Sequence, residues 1–151
     1  KKDSQEGEEL VLRFFALQKD LASYEGRLSK FLDAYMHDNA RILTAEVEKL
    51  RTQFIKTLEV CKQIFGESVF TDTTKHRPKQ SIVHYDLLMH SFANIAKNKI
   101  KSKEESIVSA FESLCRDTGF QATLSGGIQN KTSILRRRDF WRTRLNPILG
   151  K

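Results

Sequence analysis

TAEVEKLRTQFIKTLEVCKQIFG, residues 44–66, decides the fold. Apolar residues recur at Val47, Leu50, Phe54, Leu58, Cys61 and Phe65, in steps of three and four that put them on one stripe of a helix. Thr44 is the expected N-cap and Gly66 the expected stop, which gives about six turns. A helix this long with one apolar stripe needs cover along that stripe. It is expected to be the central strut of the domain.

Helical periods also organise the flanks. Residues 8–17, EELVLRFFAL, are apolar on nearly all sides except at Arg13, so this helix needs cover on both faces. Residues 27–39, RLSKFLDAYMHDN, collect Leu28, Phe31, Leu32, Tyr35 and Met36 on one face and end at Asn39. Beyond Gly66, residues 67–80 read as a connection in which Pro78 fixes the chain. The next stripe is Ile82, Tyr85, Met89, Phe92 and Ala96, followed by the basic joint KNKIKSKEES. In that joint Ser102 and Glu105 spell a capping box, opening a helix that buries Ile107, Ala110, Phe111 and Leu114 and stops at residues 117–119. Sustained strand alternation, internal repeats and low-complexity tracts are all absent from the sequence. The expected fold is all-α, a single bundle of five or six helices.

The totals suit that fold. A chain of 151 residues can close one core, and 30 % charged with 39 % apolar residues is a globular balance. No apolar run approaches the roughly 20 residues a membrane span needs. The opening KKDSQEGEEL has neither Met nor an apolar segment, which reads as a piece of a longer cytoplasmic protein without a secretion signal. Cys61 and Cys115 have no metal-like spacing and read as reduced core residues, with a disulfide between them as the alternative. The net charge of +7 is uneven. Residues 1–75 carry 12 Lys+Arg against 13 Asp+Glu, and residues 76–151 carry 14 against 6. A basic second half points to a polyanionic partner, and a solvated surface is the plain alternative.

The titratable residues are scattered rather than gathered into a catalytic constellation. His84 and His90, six apart, fall about 240° apart on a helix and cannot form a ligand set alone. Asp86 and His90 share a face, an arrangement more often a surface hydrogen bond than half of a metal site. His37 and His76 have no partner near in sequence, and no nucleophile stands beside a base. The expectation is therefore no metal, no cofactor and no catalysis within these residues.

Residues 125–141, SGGIQNKTSILRRRDFW, are the other informative stretch. Lys131-Thr132 matches the end of a P-loop, but Ser125 and Asn130 stand where its glycines must be, and no strand precedes it. The stretch reads instead as a turn at Gly126-Gly127 leading into a last helix capped by Asn130 or Thr132 and ended by Pro147. Ile134, Trp141 and Leu145 make its apolar face, and Arg138 and Arg142 flank it with stems packed and heads paired internally. Arg136, Arg137 and Arg144 are assigned to the outer side around Phe140. With Lys131 at the helix start they form the candidate nucleic-acid contact: Lys131 for one phosphate, the arginines for the backbone, Phe140 for stacking.

In their order, LVLRFFAL, the turn with Tyr24, KFLDAYMHDN, the long helix ending at IFGESVF, the Arg-Pro loop, the apolar helix and LSGG…NKTSILRRR resemble the helical C-terminal half of the GmrSD-type domain. That is the ParB-like NTPase/nuclease family of modification-dependent restriction systems. The resemblance spans residues 10–145 and rests on packing and turn patterns. It implies an accessory helical domain of a prokaryotic, NTP-driven DNA-defence protein, packing on an NTPase half and contacting DNA through the last helix. The family's Asp-Gly-Gln-Gln-Arg motif does not occur here, so no catalytic residue carries over. The competing expectation is a purely structural or protein-interaction domain without nucleic-acid contact.

Overall fold

The computed structural model describes residues 2–19 and 21–151, with side chains from residue 4 onward. The protein is all-α. Eight helices lie among the described residues: α1 Lys2–Gln18, α2 Leu28–Asp38, α3 Thr44–Phe65, α4 Ile82–Phe92, α5 Lys97–Ile100, α6 Glu104–Arg116, α7 Thr118–Ala122 and α8 Lys131–Leu149. Between α3 and α4 a minimal hairpin pairs β1 Thr71–Asp72 with β2 Lys79–Gln80, Thr71 facing Gln80 and Asp72 facing Lys79. Beyond the five or six expected helices the structure adds the short α5 and α7, and the hairpin lies in what the sequence read as a connection.

The core lies where α3, α4, α6 and α8 meet, with α1 closing one side. Phe111 of α6 is its hub: its ring makes edge contacts with Phe65 at 5.5 Å, His84 at 5.1 Å and Trp141 at 5.2 Å. The Trp141 indole Nε1 donates to the Ser91 hydroxyl at 3.0 Å, so the largest buried ring leaves no polar atom unpaired. A smaller cluster of Leu17, Leu21, Tyr24 and Ile134 joins the end of α1 to the start of α8.

Four local expectations are corrected. Only the second half of α3 is core, through Thr57, Val60, Cys61 and Ile64, while Val47 near its start is exposed. Residues 44–49 are all exposed, and cover begins at the half-buried Leu50 and at Phe54, which packs on Phe14 and Phe15 of α1. Helix α4 stops at Phe92, and Ala96 becomes the exposed N-cap of α5 rather than a core residue. The Ser102/Glu105 box does not form: Ser102 sits at φ +69°, incompatible with the extended N-cap geometry a box requires, and α6 starts one residue later. Pro147 lies inside α8 and gives up one helical hydrogen bond, yet the helix continues to Leu149 and closes on Gly150 at φ +75°.

Gly126 and Gly127 do form the expected turn, at φ +55° and +31°. A Cβ on Gly127 would fall 2.1 Å from the Asn130 amide nitrogen. Both cysteines are buried free thiols.

Candidate functional site

The expected nucleic-acid face of α8 is largely engaged by the protein itself. Arg137 is 5 % exposed, and its guanidinium donates to the carbonyls of Thr123 at 2.9 Å and Ile128 at 2.7 Å. These bonds fasten the glycine turn to the helix. The assignment of Arg137 to solvent is thus corrected, and the helical rotation explains why: at 100° per residue Arg137 falls only about 40° from Trp141. Arg144 donates to the Asp117 carboxylate at 2.8 Å, and Asp117 in turn accepts from the Phe120 backbone to cap α7. Phe140 is half-buried against α7, where a Cβ on Gly119 would stand 3.0 Å from its ring. Lys131 reaches the Ala22 carbonyl at 3.4 Å. Of the five residues, Arg136 alone is exposed, with its guanidinium 5.8 Å from the Phe140 ring centre. Arg138 lies as expected, stem packed and head donating to the Leu17 carbonyl at 2.8 Å.

Beneath α8 is an ionic network that the sequence pattern did not show. Arg13, 3 % exposed, holds Asp86 through two hydrogen bonds, Nε to Oδ1 at 3.1 Å and Nη2 to Oδ2. Burial pushes the Asp86 carboxyl up, and Arg13 works against it. Asp86 is therefore the partner of Arg13, not of His90. The His90 Nδ1 is buried without a hydrogen-bond partner, and burial together with Arg138 and Arg142 holds its pKa down at about 4.

A Cys–His pair was also missed, because its members are 31 residues apart. The Cys115 Sγ lies 3.8 Å from the His84 Nε2. Burial raises the thiol to about 12 and lowers the imidazole, so both sit in their neutral forms. A catalytic thiolate needs the opposite shifts. The described residues contain no group of three or more His, Cys, Asp or Glu positioned to hold a metal ion.

An open groove of about 680 Å³ lies between α1 and α2. Its floor is Val11, Leu12, Phe15 and Met36, and its rim carries Glu8, Glu9 and Asp33. Met36 is 57 % exposed and Val11 37 %. Helix α1 turns Phe14, Ala16 and Leu17 into the core, which leaves its second apolar side to this groove. No described helix is long and apolar enough to cross a membrane.

Comparison of the chain with protein-family models, with curated proteins and with solved structures finds no match.

Proposed function

We propose that this chain is the accessory helical domain of a modification-dependent, NTP-driven DNA-restriction protein of the GmrSD type that it resembles. In this reading it performs no chemistry itself and seats the NTPase half in the α1/α2 groove. The observation that supports it is the groove: an open apolar floor with an acidic rim on the one helix whose sequence asks for cover on both faces. The partner surface should be apolar with basic residues around it. The test is co-expression with the polypeptide encoded directly upstream, comparing the protein with its Val11→Glu/Met36→Glu variant. The expected result is loss of co-purification with unchanged melting, because both side chains face solvent. Equal co-purification of the two forms would overturn the reading.

A second reading keeps DNA contact but shifts it off α8. Lys75, Arg77 and Lys79 are exposed on the hairpin that joins α3 to α4, and Arg136 and Arg142 are exposed on α8. Three phosphate contacts from the hairpin would give a log–log salt slope of about −2.7 for duplex binding. Fluorescence anisotropy of a labelled duplex with the Lys75→Gln/Arg77→Gln/Lys79→Gln variant is expected to lose most of that slope. An unchanged slope would remove the hairpin from consideration.

A further inference from the structure

A second groove, sharing no lining residue with the first, runs between α4 and α8 and holds about 420 Å³. That lies in the size range of small-molecule sites. Its floor is apolar, formed by Leu87, Ile95, Leu145 and Leu149 with the edge of Trp141. Three cations, Arg138, Arg142 and Lys151, line it beside the uncharged His90, Ser91 and Asn146, and Asp139 is the one acidic side chain among them.

The charges do not balance. Asp139 is taken by Arg142. Asp86, whose charge also acts on Arg138, is hydrogen-bonded to Arg13. Arg138 is left with a neutral carbonyl, that of Leu17, as its hydrogen-bond partner. Its guanidinium is half-buried, and loss of water around it brings its pKa down to about 10. The adjacent His90 adds no compensating charge. A cation withdrawn from water beside an apolar trough, with no carboxylate of its own, is built to be completed by an anion.

We propose that the α4/α8 groove binds an amphipathic monoanion, a carboxylate or phosphate headgroup on a hydrocarbon body, with the headgroup at Arg138 and the hydrocarbon along Leu145 and Leu149. Neither part suffices alone. The headgroup supplies the missing charge, and the body removes the exposed apolar floor from water. The site stands whether or not the α1/α2 groove seats a catalytic half.

The test is isothermal titration of the 151-residue protein with decanoate, decyl phosphate, decanol and inorganic phosphate. Saturable binding of decanoate or decyl phosphate is expected, the tighter of the two identifying the headgroup. Decanol should bind about tenfold more weakly, the loss expected for one charge-assisted contact, and inorganic phosphate should give no saturable binding. Arg138→Gln should reduce anion affinity to that of decanol. Because Arg138 also holds the Leu17 carbonyl, Leu135→Glu provides the second variant: Leu135 lines the groove at 40 % exposure, so a carboxylate there repels the anion without disturbing the core. It is expected to melt like the parent and to bind decanoate about tenfold more weakly. Decanol binding as tightly as both anions, no saturable binding of either anion, or unchanged anion affinity in Leu135→Glu would each overturn the proposal.

Discussion

Arg13 and Asp86 stand 73 positions apart and meet inside the protein. Removing one partner strands the other charge, so Arg13→Met is expected to cost about 3 kcal/mol in urea unfolding, with part of the loss recovered when Asp86→Leu is added. A loss below about 0.5 kcal/mol would mean that the pair is held as loosely as a surface one. At this scale the sequence was half legible. Arg13 stood out as the one charge in an otherwise apolar helix face, but neither its burial nor Asp86 as its partner was read from the pattern. The Asp86–His90 spacing suggested a different partner, and the shared helix face was real. The carboxylate simply turned to the stronger donor. Arg137 was assigned to solvent, although its rotation about 40° from Trp141 follows from counting; the carbonyls of Thr123 and Ile128 that it holds do not. The run of three arginines drew attention to charge at the expense of angle.

Among the elements, length and period were readable and cover was not. The α3 helix runs over the expected residues, yet residues 44–49 at its start are exposed and Val47 is not a core residue. The α4 stripe predicted packing through Ala96, but Phe92 and Ala93 already complete the buried run and the chain turns to start α5. Within α4, His90 gives the element a pH dependence. Burial, Arg138 and Arg142 hold its folded pKa at about 4, whereas the unfolded chain takes up a proton near the ordinary 6.5. Between those values the unfolded state binds more protons, so stability is full above about pH 6.5 and falls as pH drops towards about 4. His84, lowered by burial as well, adds in the same direction. Urea midpoints measured near pH 7 and near pH 5 are therefore expected to differ less in His90→Asn than in the parent. An identical drop in both proteins would show that His90 titrates normally in the fold.

Across the whole molecule, the excess positive charge of the second half does two different things. On the hairpin it faces solvent. On α8 most of it turns inward, to the carbonyls of Leu17, Thr123 and Ile128 and to Asp117. Composition registers the sum of these charges, while their directions depend on helices that pack from distant parts of the chain. The same limit applies to the two grooves. The two-sided apolar character of α1 announced an open face. The α4/α8 groove needed tertiary geometry, because only there is it apparent that Arg13 and Arg142 have used the available carboxylates.

Arg137, Arg138 and Arg144 of α8 are internal fasteners of the fold, and Trp141, the single tryptophan, reports on them directly. Urea unfolding followed by its emission should be compared for Arg137→Met and Arg136→Met. Arg137→Met is expected to lose about 2–4 kcal/mol, from two charge-assisted bonds to the carbonyls of buried Thr123 and of Ile128, and Arg136→Met to change by no more than about 0.5 kcal/mol. Small and equal changes in both would contradict that fastening role, and would return Arg137 to the solvent face that the sequence first assigned to it.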